Sequence, residues 1–125
     1  MTQLPAHLVL LAHGSRDPAW REPFEQFVHQ LSAHPVRLAY MEMAEPTLLQ
    51  VVTSLLEQSA PPARIDVLPL FMAQGGHLRH DVPNQIQALQ QAYPSVTFNL
   101  LPPVGQHPAV VAAMRSVCET WANTN

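Results

Sequence analysis

The sequence predicts an α/β fold: a four-stranded parallel sheet with helices on both faces. Three observations carry that expectation. Four short apolar runs, starting near His7, Val36, Ile65 and Val96, end in turn formers, and each is followed by apolar residues at helical spacing. Alternation of this kind is the pattern of parallel strands joined by right-handed crossovers. The chain has 125 residues, and no linker, low-complexity stretch or internal repeat divides it, so residues 1–125 are read as one domain.

The elements follow in order. His7 to Ala12 is a short apolar run ended by His13-Gly14-Ser15, as expected of a strand buried on both faces. Asp17 can cap the next helix, with Pro18 in its first turn and Trp20, Phe24, Phe27, Val28 and Leu31 recurring at helical spacing until Ala33-His34-Pro35. Val36 to Met41 is the second strand, and a helix opening at Glu45-Pro46 turns Leu48, Val51, Val52, Leu55 and Leu56 inward. Ile65 to Phe71 is the third strand. Ala73-Gln74-Gly75-Gly76-His77 reads as a loop, and a helix from about Val82 carries Ile86, Leu89 and Tyr93 on one face until Pro94. Val96 to Leu101 is the fourth strand. After Pro102-Pro103-Val104-Gly105, a last helix from about Pro108 to Trp121 turns Val111, Met114, Cys118 and Trp121 inward.

Composition narrows the function. Hydrophobic residues make up 47% and charged residues 12%, about half the usual share of roughly 25%, which describes a globular chain rather than a disordered one. The six basic residues are all arginine, so no lysine is available for Schiff-base, pyridoxal phosphate or P-loop chemistry. With nine acidic residues the net charge is -3, and no basic field exists to hold a nucleic acid. Cys118 stands alone, Met1 to Pro5 show no signal-peptide pattern, and no apolar run approaches the roughly 18 residues of a membrane span. A cytoplasmic protein without membrane contact is expected.

In an open parallel sheet, ligands bind beyond the carboxyl ends of the strands, where the strand order reverses. His13-Gly14-Ser15-Arg16, Glu42-Met43-Ala44-Glu45 and Gln74-Gly75-Gly76-His77 follow the first three strands, so polar and titratable residues gather on that rim. The opposite edge (Ala33-His34-Pro35, Ala60-Pro61-Pro62-Ala63, Ala92-Tyr93-Pro94-Ser95) is made of connectors. Two imidazoles, His13 and His77, with the Glu42 carboxylate suit a first-row divalent metal and leave positions open for a substrate. Gly75 and Gly76 permit close backbone approach or positive φ before His77. Arg16 and Arg79 can reach over the rim to pair with carboxylates, and Ser15 and Gly76 join them as candidate substrate contacts.

Plainer readings stand beside these. A strand-end histidine can simply bond a loop carbonyl, Glu42 can be a cap or a solvated carboxylate, and Glu45 suits a helix N-terminus. His7, His29 and His34 read as surface residues; His80 and His107 are open between rim and solvent or cap. Met41, Met43 and Met72 read as core filler rather than soft metal ligands.

Leu11-Ala12-His13-Gly14-Ser15-Arg16-Asp17, Tyr40-Met41-Glu42-Met43-Ala44-Glu45-Pro46-Thr47, Pro69-Leu70-Phe71-Met72-Ala73-Gln74-Gly75-Gly76-His77 and Asp81-Val82-Pro83 together resemble the class II tetrapyrrole chelatases. The similarity is to the short form of the CbiX/SirB family of sirohydrochlorin cobaltochelatases and ferrochelatases, and weaker likeness at Gly105-Gln106-His107-Pro108 extends it along nearly the whole chain. The resemblance implies a flavodoxin-like chelatase lobe in which His13 and His77 bind a divalent metal, cobalt or iron with nickel as a further possibility, and assist its insertion into sirohydrochlorin. Glu42 matches the acidic partner. The resemblance also implies a homodimer, since most chelatases are two facing lobes, and no cofactor beyond the substrate metal. The product's destination, cobalamin or siroheme, stays open. A non-catalytic tetrapyrrole or metal carrier of the same fold is the alternative. A histidine phosphatase is disfavoured, because Ala12 stands where that chemistry wants an arginine.

Overall fold

The computed structural model describes residues 6–31, 33–73 and 75–124, with the side chains of Ala6, His77 and Leu78 outside the description. Its elements are β1 (Ala6–Ala12), α1 (Pro18–Gln30), β2 (Val36–Tyr40), α2 (Leu48–Leu56), β3 (Arg64–Pro69), α3 (Gly76–Ala92), β4 (Thr97–Leu100), a 3-10 turn at Val104–Gln106, and α4 (Pro108–Ala122). All strand pairs are parallel, in the order β2-β1-β3-β4. The chain therefore steps outward from β1 to β2, crosses back to β3, and reverses its strand order between β1 and β3.

Register decides which residues are buried together. Val9 lies opposite Arg37 and Val67, Leu11 opposite Ala39 and Pro69, and Ile65 opposite Phe98. Because successive side chains alternate across a strand, Val9, Leu11, Ala39, Ile65, Val67 and Phe98 share one face. There they join Leu48, Val51, Val52 and Leu55 of α2 with Val82 and Leu89 of α3 in one buried cluster. On the other face Leu10 and Tyr40 are also buried, and α1 packs along β2.

Local signals set the helix starts. Asp17 accepts from the Ala19 N–H to cap α1, as the sequence leads one to expect. At α2 the cap is Thr47, not the Glu45-Pro46 pair. Its hydroxyl accepts from the Gln50 N–H while the Gln50 side chain accepts from the Thr47 N–H, a reciprocal arrangement worth on the order of 1 kcal/mol. α3 starts at Gly76, well before the expected Val82. A proline such as Pro83 is most at home in a first helical turn, but α3 runs through it at the loss of one backbone bond. Docking of Val82, Ile86 and Leu89 on the sheet holds the helix across that gap.

The two outer helices are little buried, and for α4 this overturns an expectation. No residue of α1 is buried, and Phe27 is exposed while Trp20, Phe24, Val28 and Leu31 are half-buried. No residue of α4 is buried either. Val111, Cys118 and Trp121, expected to face inward, are exposed, Trp121 by 73%, and Met114 is half-buried. The reason is positional: among the described elements the only substantial neighbour of α4 is the 3-10 turn that precedes it. Among the described residues no helix is long and apolar enough to cross a membrane.

Candidate functional site

The reversal between β1 and β3 makes the ends of these two strands the place to look. His13 follows the last residue of β1 and is exposed. Its ring lies against Phe71, just past β3, with centroids 4.2 Å apart and planes tilted by 39°. Phe71 itself is buried, so it forms a fixed apolar wall for one side of the imidazole.

Backbone bonds beyond the strand ends hold the loops together. The Leu70 N–H donates to the Leu11 carbonyl at 2.8 Å, the Met41 N–H to the Ala12 carbonyl at 2.8 Å, and the Glu42 N–H to the His13 carbonyl at 3.1 Å. Gly14 sits at φ +105°, and a Cβ there would collide with the Glu42 carbonyl oxygen. Only glycine fits where two backbones approach this closely at positive φ. His13 and Glu42, distant in sequence, are thus fastened side by side through their main chains.

His77 is the second residue of α3, whose first turn follows β3. Its side chain, like Gln74, lies outside the described residues, as do Met1 to Pro5. Among the described residues no three His, Cys, Asp or Glu side chains form a group able to hold a metal. Gly75 and Gly76 do not take positive φ; Gly75 caps α3 from extended backbone, and a Cβ at either position would meet nothing within 4 Å. Arg79 and His80 are exposed in the first turns of α3.

Ser15 and Arg16 lead into α1. The Ser15 hydroxyl accepts from the Asp17 N–H at 3.1 Å, and its carbonyl accepts from the Arg21 guanidinium at 2.9 Å, while Arg16 is exposed. Glu45 accepts from the Gln50 side chain at 3.3 Å, so it braces the start of α2. His107 is a cap: its Nδ1 accepts from the Ala109 N–H at 3.1 Å. Beneath the rim, burial raises the Tyr40 pKa, with Glu25 adding to the effect and Arg21 opposing it. The Tyr40 hydroxyl is buried and has no hydrogen-bond partner among the described residues.

The sequence reading missed three features. Phe71 reads only as the last residue of the third strand, and its contact with His13 depends on the β1–β3 register. Gly105 lies so close to β3's exit that a Cβ would collide with the Met72 backbone, and its N–H donates to the Phe71 carbonyl at 2.9 Å. The Pro-Pro-Val-Gly turn was the available signal for it. Met43 and Met72 are not core filler: they are 56% and 60% exposed, although Met41 does pack on the core.

Comparison with known proteins identifies the arrangement. The CbiX family model matches residues 7–120. The chain belongs to the CbiX family. A crystal structure of a putative cobalamin biosynthesis CbiX protein from Marinobacter aquaeolei matches this CbiX chain with a TM-score of 0.82 and 36% identity, covering 97% of this chain and 100% of that one. The sirohydrochlorin chelatase SirB of Bacillus subtilis subspecies spizizenii, solved in complex with cobalt, matches with a TM-score of 0.76 and 26% identity over 94% of this chain and 51% of SirB. The sirohydrochlorin ferrochelatase of Bacillus subtilis is 30% identical over 111 residues, 86% of this chain and 42% of that enzyme. This CbiX chain therefore spans about half the length, or less, of the SirB-type relatives it matches.

Proposed function

We propose that the chain is a chelatase lobe that inserts divalent cobalt or iron into sirohydrochlorin, acting in the cytoplasm as a homodimer. The observation that carries this reading is the strand order. It sets the His13 loop and the first turn of α3, which contains His77, after the two strands at the reversal point, with the Glu42 backbone bonded to His13. The substrate class comes from the relatives, one a sirohydrochlorin ferrochelatase and one a sirohydrochlorin chelatase holding cobalt.

In this reading the metal is a substrate that must exchange its waters for four ring nitrogens, while two inner N–H protons leave the ring. No electron is transferred. His13 and His77 hold the ion through neutral imidazole nitrogens and leave coordination positions open for the ring. Glu42, exposed beside His13, accepts the departing protons. Arg16 and Arg79, both exposed on this side, pair with the ring's carboxylates, and Gly76 leaves open space for its approach. Ser15 holds the turn that carries Arg16 and keeps its own hydroxyl proton available to donate.

The dimer reading is supported by the apolar side of α4, which is exposed among the described residues. An exposed free thiol at Cys118 suits a reducing compartment.

The test is metal insertion, followed by the absorbance change of the tetrapyrrole. His13→Ala and His77→Ala are each expected to lower the rate by about 100-fold or more. Wild-type rates in both variants would overturn the assignment. Binding of both substrates with no acceleration over the uncatalysed reaction would instead make the chain a carrier.

A further inference from the structure

The two exposed methionines of the rim share a construction that burial cannot explain. Met43 follows Glu42, whose N–H is bonded to the His13 carbonyl; Met72 follows Phe71, whose ring lies on the His13 ring. The strand order β2-β1-β3 therefore sets one methionine-bearing loop on each side of His13. Each loop is pinned by a glycine from another element. Gly14 admits no Cβ because of the Glu42 backbone, and Gly105 admits none because of the Met72 backbone. Met43 also has φ +60°, a strained conformation uncommon for a bulky side chain. A flexible, exposed, apolar side chain gains nothing in the isolated chain from being held so firmly.

We propose that Met43 and Met72 are binding residues that grip the flat apolar ring of the tetrapyrrole on either side of His13. This rests on the chelatase reading above and deepens it. Isolated apolar residues are ordinary on a protein surface, but two on the loops that bracket one histidine, with clamped backbones, form a platform. Methionine suits the task because its unbranched thioether adapts to a broad surface. The arginines then fix the ring's edge through its carboxylates, and the methionines fix its height over the imidazole. The contact is apolar, so thioether ligation of the metal plays no part in it.

The decisive measurement is the dissociation constant of metal-free sirohydrochlorin for the full chain, read from the tetrapyrrole absorbance, together with the mass in solution. Binding is measured without metal, so it reads the platform independently of turnover. Met43→Ala and Met72→Ala are each expected to weaken binding about tenfold, and Met43→Leu and Met72→Leu to restore it to within about twofold. The KM for cobalt is expected to stay unchanged in all four. Unaltered tetrapyrrole affinity in both alanine variants would overturn the proposal while leaving wild-type insertion, and the chelatase reading, intact. A wild-type chain that neither binds nor metallates sirohydrochlorin would overturn both. Failure of leucine to rescue, with a raised KM for cobalt, would identify the thioethers as metal ligands. A change in mass with unchanged affinity would place the methionines in a subunit contact. Either of these last two results also overturns the platform.

Discussion

The four helices fall into two pairs with opposite fates. α2 and α3 bury Leu48, Val51, Val52, Leu55, Val82 and Leu89 against the sheet, and this half of the molecule is a finished core. α1 and α4 carry comparable apolar residues at helical spacing, but neither buries a single one. A helical pattern in the sequence says that a helix has an apolar side; it does not say which surface covers that side. In α2 and α3 the covering surface belongs to the same chain. For α4 it does not.

The largest expected effect tests the finished half. Leu55→Ala removes a fully buried side chain from between α2 and the sheet and is expected to lower the unfolding free energy by about 2–5 kcal/mol. Because that contact lies within one chain, the loss should be the same at every protein concentration. A urea denaturation series from submicromolar to tens of micromolar checks both statements. A loss below about 1 kcal/mol would mean that this core is not the chain's main source of stability.

The second effect tests the unfinished half. Trp121→Glu places a charge on the apolar side of α4, where the wild-type side chain is 73% exposed in the single chain. Within one chain it should shift stability by no more than about 0.5 kcal/mol, as surface changes do. In the proposed dimer it should convert a mass of two chains into one and remove the concentration dependence of unfolding. Light scattering on both proteins distinguishes the cases, and an unchanged dimer mass would mean that α4 lies outside the interface.

A third, smaller effect concerns the α1 side of the sheet. Tyr40 is 1% exposed, and its hydroxyl has no hydrogen-bond partner among the described residues. An unsatisfied buried polar group costs about 1–3 kcal/mol, so Tyr40→Phe is expected to leave the melting temperature unchanged or raise it. A clear drop would reveal a partner for the hydroxyl, such as one supplied by a second copy.

Much of this was legible in the residues. Apolar runs bounded by glycine and proline located all four strands to within a residue or two, because strand ends and turn chemistry are local. The adjacency of the His13 and Glu42 loops was legible too, because topology alone brings strand ends together. What was not legible depended on contacts between distant segments. Phe71 meets the His13 ring only through the β1–β3 register, and Gly105 is required only because Met72 passes beside it. The start of α3 at Gly76 was not legible, because a proline such as Pro83 suits a first helical turn, while the packing that carries the helix through it is tertiary. The exposure of α4 was misjudged for the reason that separates the helix pairs.

The smallest effect sits at the edge of the finished face. His7 shares its side of β1 with Val9 and Leu11, and burial, with the neighbouring Arg37 charge adding to it, lowers its pKa below the usual 6.5. The unfolded chain then binds the His7 proton more readily than the folded one. Its contribution to stability is fully present above pH 6.5, declines as the pH falls through the lowered folded-state value, and is lost below it. His7→Gln removes that titration. The difference in urea midpoint between the two proteins should therefore be constant above about pH 7.5 and shift in favour of the variant as the pH drops below 6.5. Parallel midpoints across this range would show that His7 charges as easily in the folded chain as in the unfolded one, leaving the α2 and α3 side free of any titrating weakness at that edge.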